Sequence, residues 1–278
     1  MRLLEVFGAA SAAILVAGFA SAAPGVQIRG AAARVIVIPE ARRDVAVTIV
    51  RAVRKLPLKV RTFNGTVFIN GDIGHRSHGC LTANGLRTVG IWGRGAVAYK
   101  DLPQIVIRTP MDVRISAGEA VFGDVGRSHS LDLTNQGCGA WTIANVAERL
   151  RVDQAGSGDA RAGDAGTAEL SVAGSGNVSI QTIRGGGTAV SSGSGDITVA
   201  SLSGPLDARI AGSGDIRVLA GRISHMTASV AGSGDVSFGG TAQSLNASIA
   251  GSGGVRVARV NGSVTKRVFG SGEVRVGR

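Results

Sequence analysis

Ile210-Ala-Gly-Ser-Gly-Asp-Ile-Arg-Val218 is one of a series of near-copies that decides how the chain is read. Gly-Ser-Gly recurs with its first glycine at Gly156, Gly174, Gly193, Gly212, Gly232, Gly251 and Gly270, in steps of 18, 19, 19, 20, 19 and 19 residues. A fixed period of this length marks a solenoid, in which each unit is too small to enclose a core and buries one by stacking on the next.

Side chains sort into columns around the glycines. Four residues on stand Ala160, Val178, Ile197, Ile216, Val236, Val255 and Val274, and six on stand Ala162, Ile180, Val199, Val218, Phe238, Val257 and Val276. Between them the residues are Arg161, Ser179, Thr198, Arg217, Ser237, Arg256 and Arg275. Alternation at period two describes a strand with one face buried. A second strand precedes the glycines, with Ile210, Val230, Ile249 and Val268 inward, alanines two places earlier, and Leu206, Met226, Leu245 and Val264 completing the set. Helices are disfavoured, since no window keeps three-and-four spacing and glycine recurs too often. The expected fold is all-β, a right-handed parallel β-helix with coils of about 19 residues. The glycines are expected to supply positive φ at the corners.

Upstream, Gly137-Cys138-Gly139 extends the period, followed by Trp141 and Ile143. Ser116-Ala117-Gly118 with Ala120 and Phe122, and more weakly Gly93-Arg94-Gly95 with Val97 and Tyr99, suggest earlier coils. The chain is therefore divided into residues 1–22, 23–100 as irregular β coils or an end cap, and 101–278 as regular solenoid, with nine coils from Ser116 onward. Residues 1–22 read as an export signal, an apolar run ending in Ala20-Ser21-Ala22 that is shorter than the ~20 residues of a membrane span. No other run is long enough to cross a bilayer, so the expected location is periplasmic, cell-surface or secreted.

The net charge is +11. Aromatic residues make up 4% of the chain, and none interleave with basic tracts, so there is no stacking platform for single-stranded nucleic acid. An anionic envelope glycan or lipopolysaccharide is the expected partner class. Export places Cys80 and Cys138 in an oxidising compartment, where a disulfide between them would tie the N-terminal region to the first regular coils; two buried thiols are the alternative.

No catalytic constellation emerges and no cofactor is implied. His75, His78 and Cys80 form H-x-x-H-x-C, which lacks a fourth metal ligand, and no nucleophile elbow is present because no helix follows a Gly-x-Ser-x-Gly. The residue after each Gly-Ser-Gly is Asp159, Asn177, Asp196, Asp215, Asp235, Gly254 or Glu273. Stacked at about 4.8 Å, these carboxylates would repel unless offset. Calcium between coils is one solution. The other is that each Asp accepts N–H bonds from its own corner, with arginines nearby.

The run Asp101-Leu-Pro-Gln-Ile-Val-Ile-Arg-Thr-Pro110 followed by units such as 210–218 resembles the head GIN domain family of putative auto-transporter adhesins over roughly residues 101–278. The resemblance implies an exported bacterial β-helix and brings no catalytic motif. The leading reading is a non-enzymatic, adhesin-like envelope or surface protein, with Arg161, Arg217, Arg256 and Arg275 on one strand and Arg209 and Arg267 on the other forming basic stripes for anionic glycans. The alternatives are a polysaccharide-active β-helix lyase or glycosidase, which would need an irregular cleft with paired carboxylates, and a structural envelope spacer.

Overall fold

A computed structural model describes residues 24–74, 77–83 and 86–277; His75 and the expected export signal over residues 1–22 lie outside them. The molecule is a parallel β-helix. Nine successive coils each contribute two principal strands: Asp112–Ala117 and Ala120–Val125; Ser130–Asn135 and Trp141–Ile143; Val146–Gln154 and Ala160–Ala162; Ala165–Val172 and Val178–Ile183; Gly187–Ser191 and Ile197–Ser203; Leu206–Ile210 and Ile216–Ile223; Met226–Gly232 and Val236–Ala242; Leu245–Gly251 and Gly254–Val260; Val264–Phe269 and Glu273–Val276. First strands pair with first strands and second with second, all parallel. The apolar columns stack as the alternation requires: Val178, Ile197, Ile216, Val236, Val255 and Val274 are register partners in turn, and all are buried. Ile183, Leu202, Ile223 and Ala242 fill a further buried column at the far end of the second strand. The 20-residue step is absorbed there, with a register shift between Val218 and Arg222.

The corner glycines have a different cause from the expected one. Gly232, Gly251 and Gly270 take positive φ, but Gly156, Gly174, Gly193 and Gly212 do not, and neither does the second glycine of any triplet. What all share is contact with the coil beneath. A Cβ on Gly193 would lie 2.2 Å from the Gly174 carbonyl oxygen, and one on Gly195 would lie 2.1 Å from that of Gly176. The backbones at this corner run too close together for any side chain.

Residues 23–100 supply both coils and a cap. Val26–Arg29 lies between Thr66–Gly71 and Asp112–Ala117, and Ala32–Pro39 lies between Gln104–Thr109 and Ala120–Val125, all in parallel register. The earliest strands thus sit inside the stack, and a later pair continues it outward. Ala46–Arg51 and Leu58–Phe63 close this end by pairing antiparallel to Gln104–Thr109 and Thr66–Gly71. One expected coil and the facing of another are corrected. Gly93-Arg94-Gly95 is the hairpin turn of a three-stranded antiparallel sheet made by Ser77–Ala83, Leu86–Ile91 and Gly95–Ala98. Ala120 and Phe122 face outward, while Val121 and Val125 belong to the main core; Glu119, at φ 54, turns the corner under Gly137. Gly123 is the register partner of Trp141, whose ring occupies the space a Cβ there would need (2.1 Å).

The inserted sheet covers that outward face. Val89, Ile91, Leu56, Ile73 and Leu102 pack with Ala32, Ala120 and Phe122 in a second core, where Tyr99 meets Phe122 edge-on at 5.1 Å. Cys80 is bonded to Cys138 in the Gly137–Gly139 corner. Closing a loop with a sequence separation of 58 constrains the unfolded chain by about 4 kcal/mol on the chain-entropy account. No helix among the described residues is long and apolar enough to cross a membrane.

Candidate functional site

The strand after the Gly-Ser-Gly corner presents its outward column to solvent. Thr142, Arg161, Ser179, Thr198, Arg217, Ser237, Arg256 and Arg275 are successive register partners. The column beside it holds the acidic series, bonded between coils. Asp159 Oδ1 accepts the Asn177 N–H at 3.0 Å, Asn177 Oδ1 that of Asp196 at 2.9 Å, and Asp196 Oδ1 that of Asp215 at 2.9 Å. Asp215 and Asp235 repeat the pattern onto Asp235 and Gly254, each at 2.7 Å. The amide therefore comes from the following coil, where the turn argument placed it in the residue's own corner. Each bond satisfies a donor that the strand ladder leaves over, and it offsets the repulsion between stacked carboxylates.

The second carboxylate oxygens meet the arginines. Arg217 pairs with Asp196 at 2.7 Å and with Asp215; Arg161 pairs with Asp159 at 3.5 Å and Arg275 with Glu273 at 2.6 Å. On the other strand Arg209 pairs with Asp207. The hydrogen bond to Asp196 raises the Arg217 pKa, that to Glu273 raises the Arg275 pKa, and the Arg275 contact lowers the Glu273 pKa. Asp-x-Arg places two opposite charges on one face of a strand, because residues two apart point the same way. The stripes consequently mix both signs over most of the rod, which removes the sign bias expected from the arginines alone. Such exposed pairs contribute little stability each.

Arg256 stands apart. Its own strand carries Gly254 where the others carry an acid, and it makes no ion pair or hydrogen bond with a described residue. Arg267 likewise lacks an ion pair among the described residues. The charge is distributed to match: residues 130–253 hold seven basic and ten acidic side chains, whereas residues 254–278 hold six and one, and residues 23–129 hold sixteen and seven. The positive excess therefore lies toward the two ends of the rod.

Gly254 also leaves a notch of about 220 Å³, lined by Asp235, Ser252, Gly254, Arg256, Ser271, Glu273 and Arg275. On another face, His225 contacts Ser244 Oγ at 2.7 Å through Nδ1 and Thr227 Oγ1 at 3.2 Å through Nε2, so a hydroxyl stands where a hydrolytic triad needs a carboxylate. Among the described residues, no three His, Cys, Asp or Glu side chains converge as a metal site. The signal for the notch is present in the sequence as the one glycine in the acidic series, opposite an arginine.

A family model described as putative auto-transporter adhesin, head GIN domain, matches residues 81–218 and 182–277. Among solved structures the chain is similar to a putative adhesin from Bacteroides fragilis, at 16% identity over 91% of each chain with a TM-score of 0.50. It is also similar to a putative lipid binding protein from Parabacteroides distasonis, at 18% identity over 92% of this chain and 93% of the other, with a TM-score of 0.53. At these identities the likeness establishes the fold. No curated protein matches the sequence.

Proposed function

The chain belongs to the head GIN domain family of putative auto-transporter adhesins, and from that premise we propose that it is an exported, adhesin-like surface protein. It acts without catalysis and contacts anionic envelope polymers, acidic polysaccharide or lipopolysaccharide, through its last two coils. The observation that carries this reading is the local excess of cations there. Arg256, Arg259, Lys266, Arg267 and Arg275 face solvent or the open end against the single acid Glu273, while Arg161, Arg209 and Arg217 of the middle coils are each held by the carboxylate two residues before them. A guanidinium without a protein partner is available to hold a carboxylate or phosphate in bidentate geometry.

The test is binding of the mature protein to immobilised polygalacturonate and to lipopolysaccharide vesicles across a salt series. Affinity should fall steeply as salt rises above about 0.1 M, where exposed charges are screened beyond roughly 10 Å. Replacing Arg256 and Arg267 together by Ser should weaken binding far more than replacing Arg161 and Arg217 together. Equal losses from the two pairs, or no polyanion binding by the parent, would overturn the assignment.

A further inference from the structure

The notch at Gly254 interrupts an otherwise continuous pattern, and its chemistry can be read from what the interruption leaves unpaired. In the coils below, Asp215 performs two tasks: its Oδ1 takes the next coil's N–H, and its Oδ2 pairs with Arg217 two residues on, while Asp196, with Thr198 two residues on, gives its Oδ2 to the same arginine from the coil beneath. Gly254 performs neither, so Arg256 loses its carboxylate. Directly below, Asp235 is followed two residues on by Ser237, so its Oδ2 has no arginine on its own strand; Oδ1 alone is engaged, by the Gly254 N–H. Above, Glu273 is already held by Arg275. The notch therefore holds one guanidinium with no ion pair or hydrogen bond among the described residues, near enough to Glu273 to help lower its pKa, one carboxylate oxygen with spare acceptor capacity, and the Ser252 and Ser271 side chains, around a volume of about 220 Å³.

We propose that this notch is a subsite for a single sugar carboxylate, a uronic acid unit. The carboxylate of the sugar takes the place beside Arg256 that Asp215 occupies beside Arg217, and ring hydroxyls donate to Asp235 Oδ2 and exchange hydrogen bonds with the two serines. Neutral sugars lack the group that Arg256 selects. Inorganic anions lack the ring hydroxyls that would donate to Asp235 Oδ2 and so offset its charge. The volume lies below the roughly 300 Å³ of ordinary small-molecule pockets, which suits one ring with its neighbours outside. This subsite rests on the polyanion reading above and refines it, since uronic acid units are the charged units of acidic polysaccharides.

Galacturonate, galactose and polygalacturonate titrated into the mature protein, followed by NMR shift perturbation, test it. Galacturonate should bind in the millimolar range and galactose at least tenfold more weakly. Gly254→Asp should restore the interrupted series, pair with Arg256 and reduce galacturonate affinity at least tenfold. Polymer binding through Arg259 and Arg267 should persist. Arg256→Gln, which leaves the backbone untouched, should give the same loss. A parent that binds polymer but not galacturonate, or variants that bind galacturonate as the parent does, would overturn the notch and leave the surface reading standing. A parent that binds neither would overturn both.

Discussion

Replacing Gly214 by Ala separates two accounts of the corner glycines. If they served only to reach unusual φ values, Gly214, which has no positive φ, would accept alanine. The folded state would then gain about 0.4–1 kcal/mol from the smaller entropy of the unfolded chain. The stack predicts the opposite sign. A Cβ on Gly214 would sit 2.2 Å from the Gly195 carbonyl oxygen and 2.7 Å from Ser191 Oγ. Relieving that overlap requires the coils to part by about 1 Å at the corner, since real Cβ contacts below 3.0 Å essentially never occur. The bonds in the path are Ser213 N–H to Gly193 O at 3.1 Å, Gly214 N–H to the same oxygen at 3.2 Å, and Asp215 N–H to Asp196 Oδ1 at 2.9 Å. Losing three bonds at roughly 1 kcal/mol each, less the entropic gain, leaves a cost on the order of 2 kcal/mol. For a chain of this size that corresponds to a fall in melting temperature of about 4–8 °C. Gly65→Ala is the control, since Gly65 has φ 75 and no atom within 4 Å of an added Cβ. It should lose about 1–2 kcal/mol from backbone strain alone. Thermal melts followed by far-UV circular dichroism report both. A Gly214→Ala protein as stable as the parent would refute the stacking argument.

Lys266 occupies the inward column filled by Ala189, Ala208, Ala228 and Ala247 in earlier coils, and its ammonium donates to the Val274 carbonyl at 2.9 Å across the open core. An inward charge on an edge strand discourages further stacking. Lys266→Ala should therefore associate end to end, seen as a concentration-dependent rise in sedimentation coefficient; unchanged sedimentation would count against this role. His129 bridges Asp112 at 3.1 Å and Glu148 at 3.2 Å, and its pKa is raised, first by the bond to Asp112. A raised folded pKa contributes stability that is full below the unfolded value of about 6.5 and disappears as pH rises through the folded value. The parent should thus exceed His129→Asn in stability more at about pH 5.5 than at about pH 8.5; an equal margin would exclude the bridge. In the acidic series Oδ1 takes an amide, and Asp159, Asp196 and Asp215 each meet an arginine, so these stacked carboxylates are offset without calcium. Chelation should leave the melting temperature unchanged, and a drop restored by calcium would contradict the bonding pattern.

The coils were legible because their determinants are local and repeated. Period-two alternation places Val236 and Phe238 inward whatever the partner, and the 19-residue step fixes which residue lies next in the stack: Val255 on Val236, Val257 on Phe238. The order of the first strands was not legible on these terms. Val26–Arg29 belongs between Thr66–Gly71 and Asp112–Ala117, a placement set by pairings between strands about 40 and 90 residues apart in the chain, and no period records that. Ala120 and Phe122 misled for a related reason. An outward face buried by an inserted sheet looks apolar, as an inward face does, and only the position of Trp141 over Gly123 resolves the register.

A column taken alone misrepresents the charge pattern. Arg161 and Arg217 form a basic stripe when the strand is read at one position per coil, but Asp159 and Asp215 lie two residues away on the same face. In a repeat each position has four neighbours, two along the strand and two across coils, and charge must be balanced over all of them. Under that rule the regular units explain their own side chains: aspartate holds the next coil's amide, arginine holds the aspartate, and glycine lets the coils meet. Whatever the rod does beyond standing up is then concentrated where a residue breaks the rule without a structural replacement. Trp141 over Gly123 is a break that packing explains, and Lys266 is one that the end of the core explains. Gly254 removes an acid, a side chain and an arginine's partner together, and among the described residues no ion pair or hydrogen bond replaces that partner. A position that regular stacking leaves unsatisfied on an exposed face is one where a ligand can supply what the repeat omits, and this is why the binding experiments begin at Arg256.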